Sequence, residues 1–356
     1  MIKSIANLLS VLMSVAACGC ARDAGVIFPA LPPPIVWPGG SEPARIRYVG
    51  QIATSEDLKS GRSALEGLGQ AIFGKPDKHG MITPFAVCTD GVNRLFVADS
   101  GARLVHVFDL ATRRYAQWAP AEKQPQMALP IGIAWDPAGR LLVSDSVAGA
   151  IFVFDAQGKY TGLLGKNLLK RPCGIAIHPL TKQVFIADSA AHQIVVLSPA
   201  GEEVTRIGRR GMRPGEFNFP VDVAVDHLGR VYVADALNFR VQQISPDLKT
   251  SQIIGGRGDM PGYFAQPKCL DVDGEDHLYV VDNRFEAAQI FDSDGHLLLN
   301  FGSEGRGPGQ FWLPTGIFID PKNRIWVADS YNHRVQVFDY LAGTAPLPAT
   351  QPEARP

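Results

Sequence analysis

The sequence predicts an all-β fold, a six-bladed propeller, and three observations predict it. Six segments open on a proline, at Pro84, Pro130, Pro172, Pro220, Pro267 and Pro314, and each carries an aspartate closing its second apolar run, at Asp99, Asp145, Asp188, Asp235, Asp282 and Asp329. Successive aspartates stand 46, 43, 47, 47 and 47 positions apart, a period that holds four short strands and their turns. The last unit stops near Tyr340 one strand short, and a counterpart for that strand lies at the front: Arg45-Ile-Arg-Tyr-Val-Gly50 reads like Leu297-Leu-Leu-Asn-Phe-Gly302. Arg45–Gly50 is therefore expected to pair into blade six, because a closed ring leaves no long open sheet edge.

Composition agrees. A hydrophobic fraction of 46% over 356 residues is ample for a large core, and Gly 36 with Pro 27 suits a chain of many turns. Basic and acidic residues, 34 against 35, balance to a net charge of -1. That excludes a general nucleic-acid binder, which needs surplus cations to displace counterions. Five cysteines are too few for a disulfide framework in so long a chain.

Residues 1–17 have one charge, Lys3, and an apolar run too short to span a bilayer as a mature helix. The run ends in Val15-Ala16-Ala17-Cys18, which resembles a bacterial lipobox: small residues fit the peptidase groove and the Cys18 thiol takes the lipid. Cys20 is a second candidate. Gly19, rather than an aspartate, follows Cys18, and by resemblance to known lipoproteins this points to the outer membrane of the cell envelope. Residues 18–44, with Phe28–Pro43 rich in proline, read as an extended tether, and 341–356 as a loose tail. They bracket one domain, 45–340.

Within each unit the apolar runs are short and β-branched, separated by turns such as Asp136-Pro-Ala-Gly139 and Asp155-Ala-Gln-Gly158. Three linkers match one another: Gly208 to Pro220, Gly255 to Pro267 and Gly302 to Pro314 contain Pro214-Gly215-Glu-Phe217, Pro261-Gly262-Tyr-Phe264 and Pro308-Gly309-Gln-Phe311. On these motifs, over roughly residues 45–340, the chain resembles the NHL-repeat family of β-propellers. Only Arg240 and Arg334 keep that family's arginine before the third strand. From Gly50 to Pro84 the equivalent linker is 34 positions instead of 12. The insertion, residues 54–80, places Leu58, Leu65, Leu68 and Ile72 after a Thr54/Asp57 helix start and is expected to form a short helical lid.

Strand alternation puts the long linkers and the aspartate turns on one end of the ring, the upper face, where loops on a rigid scaffold carry binding. Arg206, Arg209, Arg210 and Arg213 share one linker there, with Arg257 and Arg306 at related places. They offer a docking patch for an acidic envelope protein or an anionic glycan. Some relatives of the resembled family bind RNA on this face; for an exported chain no nucleic-acid partner is expected. Lys268 and Phe85, each directly after an opening proline, are further candidates for this face.

Small residues fill the first strands where blades converge, except Asp222 and Asp271. Two carboxylates could hold a hard cation, or could accept hydrogen bonds from buried backbone donors, the commoner use. The six repeated aspartates are structural: a turn needs bracing in every blade, whereas a catalytic group is needed once. Cys88, Cys173 and Cys269 lack metal-ligand spacing. The peptide-amidating lyases that the fold resembles hold zinc through histidines after the opening proline. Here those positions are Phe85, Ile131, Cys173, Val221, Lys268 and Thr315. With no GxSxG elbow and no histidine pair at metal spacing, the sequence assigns no catalytic residue, metal or cofactor. The expected function is a lipid-anchored, monomeric binding or scaffold module; the alternative is a metal-dependent lyase or lactonase at the channel mouth, using Asp222 and Asp271.

Overall fold

Six antiparallel sheets surround a central channel in the computed structural model, which describes residues 25–59 and 79–341. Contacts divide the chain into Met1–Ile27 with Lys59–Pro76, and Phe28–Leu58 with Asp77–Pro356. Every sheet belongs to the second unit; the first falls almost wholly outside the described residues, and with it Cys18, Cys20 and the leader. No helix among the described residues is long and apolar enough to cross a membrane.

Blade one is β3 to β6 (Pro84–Thr89, Arg94–Asp99, Leu104–Asp109, Arg114–Trp118), after β1 (Val36–Trp37) and β2 (Ile46–Ile52). Blade two is β7 to β10 (Pro130–Trp135, Leu141–Asp145, Ala150–Phe154, Tyr160–Leu164), and blade three β11 to β14 (Pro172–Ile177, Val184–Asp188, Gln193–Leu197, Glu203–Ile207). Blade four is β15 to β18 (Pro220–Val225, Val231–Asp235, Arg240–Ile244, Ser251–Ile254), and blade five β19 to β22 (Pro267–Val272, Leu278–Asp282, Ala287–Phe291, Leu297–Phe301). Blade six contains β23 to β25 (Pro314–Ile319, Arg324–Asp329, Arg334–Tyr340). The first strands touch one another in order around the channel, and β23 meets β3 to complete the circuit.

The second and third strands are buried on both faces because blades stack on either side, so the second strands read as near-continuous apolar runs, while the third also bury Gln242, Gln289 and Gln336. The core lies between blades: Phe217 packs among Phe185, Ile194 and Val233, and Phe311 among Phe301, Ile317 and Phe338. Those phenylalanines come from the Pro-Gly-x-Phe linkers. Each sits beneath the glycine that opens its linker; Gly208 and Gly302 have φ of +85 and +87, and a Cβ on either would meet the ring at 2.3 Å. Glycine is required there twice over, for backbone hand and for space.

β2 runs antiparallel to β25, pairing Ile46 with Tyr340 and Ile52 with Val335. The front of the chain thus supplies the fourth strand of blade six. The expected tether is partly ordered structure: Val36–Trp37 pairs with Ile46 and Arg47 as a fifth strand. The Trp37 ring lies 6.0 Å from Phe301 and 5.8 Å from Phe338. The described part of the insertion is a 3-10 turn, Ser55–Leu58, braced by the Asp57 carboxylate accepting the Ala53 and Thr54 N–H groups, with a bridge from Thr54 to Gly80. The helical lid is not supported: these residues form a single turn, and the remainder of the expected helix, 60–78, lies outside the described residues, as does the tail from 342.

Candidate functional site

The six repeated aspartates are fully buried. In each blade the carboxylate accepts backbone N–H from the residues just before the opening proline, and in blades one, two and five also from its own turn. Asp145, for example, accepts from Ala128, Leu129, Val147 and Ala148 at 2.6–3.0 Å. This knots the inner strand to the second strand in every unit. Arg240 and Arg334 add an ion pair at 2.8 Å to Asp235 and Asp329. In blade one the arginine's position is Leu104, and His106, at the position of Gln242 and Gln336, bonds the aspartate, Nε2 lying 3.0 Å from Asp99 and Nδ1 2.6 Å from the Tyr115 hydroxyl. Burial alone would raise the Asp99 pKa; the bonds from His106, Ala102, Ile82 and Thr83 outweigh it and hold the carboxyl below its usual range.

Side-chain hydrogen bonds tie linkers and aspartate turns together at the upper face: Asn238 Nδ2 donates to Gly211 O, Asn332 Nδ2 to Gly305 O, and the Arg240 guanidinium to Arg213 O. On this face Arg209, Arg210, Arg213, Arg257 and Arg306 are all exposed. Three of them have individual neighbours. Arg209 pairs with Glu216 at 2.9 Å, Arg257 stacks 5.1 Å over Phe239, and Arg306 stacks 4.3 Å over Trp312. Arg206 is turned away into a pair with Glu203. Sequence reading missed apolar side chains in the loops of the same face: Val147, Met212, Leu237, Met260 and Tyr331 are each at least half exposed. A signal was available, since Val147, Leu237 and Tyr331 all fall two positions after the repeated aspartate, where the blade needs no apolar side chain.

The channel is a cavity of about 430 Å³ lined by the first strands of all six blades. Its walls close in because residues two past the proline are small: a Cβ on Gly132 would meet Cys173 O at 2.2 Å, and one on Gly316 would meet Phe85 O at 2.7 Å. Asp222 and Asp271 both line it, and both are committed to neighbouring blades. Asp222 Oδ2 accepts Leu270 N–H at 2.9 Å, and Asp271 Oδ2 accepts Ile319 N–H at 2.7 Å while its Oδ1 accepts Val272 N–H. Burial pushes the Asp222 carboxyl up to about 6 and Asp271 to about 7, with the backbone bonds opposing the rise. Among the described residues no three His, Cys, Asp or Glu side chains converge as metal ligands.

Lys268 and Phe85 are brought together inside this cavity, the Lys268 ammonium lying 4.9 Å from the ring centroid. Burial lowers the Lys268 pKa, partly offset by Cys173, Cys269 and Asp222. Arg171, at the end of the linker into blade three, also lines the cavity. Cys88 and Cys173 are buried and Cys269 half-buried; burial raises all three thiols.

Residues 217–244 and 311–338 match the NHL repeat. No curated protein sequence matches the chain. Solved structures share the fold. A virginiamycin B lyase from Staphylococcus aureus is 12% identical, with a TM-score of 0.54 over 73% of this chain and 96% of that one. An auxiliary nutrient binding protein from Bacteroides thetaiotaomicron is 14% identical, with a TM-score of 0.60 over 74% and 70%. A gluconolactonase from Xanthomonas campestris is 16% identical, with a TM-score of 0.57 over 75% and 87%. At such identities the likeness shows a common architecture, and one architecture hosts many functions.

Proposed function

We propose, from the premise that this chain carries NHL repeats in a six-bladed propeller, that it is a non-enzymatic binding module which docks an acidic protein of the bacterial envelope on its upper face. One observation carries this reading: exposed Met212, Leu237, Met260 and Tyr331 alternate with exposed arginines on loops that hydrogen bonds hold rigid. Apolar side chains on a monomer's surface cost solubility, and their grouping beside cations on one face suits an amphipathic, acidic protein surface better than a glycan. Anchoring by a lipid on Cys18, at the outer membrane, is part of the proposal and rests on the sequence between Val15 and Cys18.

The test is affinity capture from native membranes after mild crosslinking. It uses the wild-type chain, a Met212→Ser/Leu237→Ser variant of the upper face, and a Val92→Ser/Leu228→Ser variant in the turns at the opposite end. The proposal expects partners to be lost from the first variant and kept by the second.

A lyase or lactonase reading draws on the raised Asp222 and Asp271 carboxyls in a cavity. Against it, each carboxylate already accepts the backbone of the next blade. Stoichiometric metal on elemental analysis, or turnover abolished by Asp271→Asn, would establish it.

A further inference from the structure

Lys268 leaves blade five and reaches across the channel. Its Nζ stands 4.9 Å from the centroid of Phe85, in blade one, and it lies within electrostatic reach of Cys173, in blade three. An ammonium that interacts with side chains of three blades sits near the ring axis. Among the described residues it has no hydrogen-bond or ion-pair partner, only the face of the Phe85 ring. Arg171 adds a second cation to the same cavity, and no described carboxylate pairs with it.

The Asp222 charge favours the ammonium from a distance, but no described group lining the cavity forms an ion pair with it. Asp222 and Asp271 are hydrogen-bonded to Leu270, Val272 and Ile319, and Cys173 and Cys269 are thiols that burial keeps protonated. Near Lys268 and Arg171 the rest of the lining is mainly apolar, with Phe85, Ile131, Phe219 and Val221 beside Ser189 and Thr315, whose hydroxyl donates to Phe85 O at 2.8 Å. A desolvated cation without an ion-pair partner is costly in a fold that could have placed a methionine there. Such a cost is kept where a ligand repays it.

We propose that the upper part of the channel is a binding site for a small organic carboxylate with an apolar body. Its carboxylate meets the Lys268 ammonium and the Arg171 guanidinium, and its aromatic or aliphatic body packs against Phe85, Ile131, Phe219 and Val221. A charge-assisted pair is strong here because the walls exclude much of the water that would screen it. The cavity's volume, about 430 Å³, accepts a molecule of this class, and its mixture of apolar walls with few polar groups is that of small-molecule pockets generally. This site is separate from the exposed apolar side chains proposed to dock a protein.

The purified full chain is titrated calorimetrically with benzoate and, separately, with its neutral isostere benzamide. Benzoate is expected to bind at one site per chain, with benzamide at least tenfold weaker. Lys268→Met should weaken benzoate at least tenfold, whereas Lys268→Arg should retain it. The unliganded Lys268→Met protein should melt no lower than wild type, since an apolar chain of similar length replaces an unpaired cation. Absence of benzoate binding to the wild type, equal binding of benzamide, or unchanged benzoate affinity in Lys268→Met would each overturn the proposal. The benzoate and benzamide comparison needs no variant, so it decides the matter even if a variant misfolds. Partner capture by the Lys268→Met chain, expected to be unchanged, separates failure of this site from failure of the docking face.

Discussion

Asp271 in blade five accepts the backbone N–H of Ile319 in blade six, 48 positions on, at 2.7 Å. Asp222 bears the same relation to Leu270, also 48 positions on, at 2.9 Å. Two carboxylates that stand out in sequence as possible metal ligands are thus clasps between adjacent inner strands, and their chemistry follows from that position.

The clasps make stability depend on pH in a definite direction. Burial raises Asp271 from 3.8 to about 7 and Asp222 to about 6. Between the unfolded and folded values the native chain holds protons that the unfolded chain has released. Stability attributable to this pair therefore falls as pH rises from about 4 to about 7. Asp271→Asn keeps an oxygen acceptor for one N–H and removes the charge. Above pH 7 the variant should be as stable as wild type or more stable, by about 1–3 kcal/mol, and should lose part of the pH slope. Urea unfolding at several pH values measures both; an unchanged slope would contradict the assignment.

Arg334 and Arg209 are both arginines paired with a carboxylate, yet only one matters to the fold. Arg334 is buried, pairs with Asp329 at 2.8 Å, and donates to Gly307 O, Gln310 O and Gln51 Oε1. Arg334→Met strands a buried carboxylate and should cost about 3–5 kcal/mol. Arg209→Met loses an exposed pair with Glu216 and should cost no more than about 1 kcal/mol. Denaturant midpoints of the two variants provide the check.

Gly302 and Gly215 separate backbone strain from steric exclusion. Both have positive φ, +87 and +77, but a Cβ on Gly302 would meet Phe311 at 2.3 Å whereas Gly215 has nothing within 4 Å. Gly215→Ala should cost about 1 kcal/mol, the conformational part alone. Gly302→Ala should cost about 2–4 kcal/mol, because the phenylalanine plugging the blade interface must move. Equal melting temperatures would refute the plug.

Removing β2 should open the ring. A chain beginning after Ile52 loses the strand paired to Arg334–Tyr340 and exposes that edge, so it should aggregate or unfold without cooperativity on gel filtration and thermal melting. Trp37→Ala, which removes only the packing on Phe301 and Phe338, should leave a folded ring weakened by about 2 kcal/mol.

Much of this was legible before any coordinates, and for a physical reason. A repeat states the same local rule six times, so the opening prolines, the buried aspartates and the Pro-Gly-x-Phe linkers reinforce one another where a single instance would be ambiguous. The closing strand was legible because it had to satisfy the edge left by Tyr340. The Val36–Trp37 strand was not: two residues among prolines have no periodicity, and only Phe301 and Phe338, far away in sequence, give Trp37 a place to pack. Nor was the cavity's charge. That Lys268 reaches Phe85 depends on side-chain direction across a ring, which no spacing encodes. Nor were the individual neighbours of the arginines, Glu216, Phe239 and Trp312, since closeness in sequence does not encode them.

The docking face is tested most directly by placing a photo-crosslinking amino acid at Met212 or Leu237 on the upper face, and at Val92 or Leu228 in the turns at the opposite end, in cells carrying the full chain. Adducts with an envelope protein are predicted from Met212 and Leu237 and not from Val92 or Leu228. Adducts from the opposite end alone, or from neither, would contradict the account.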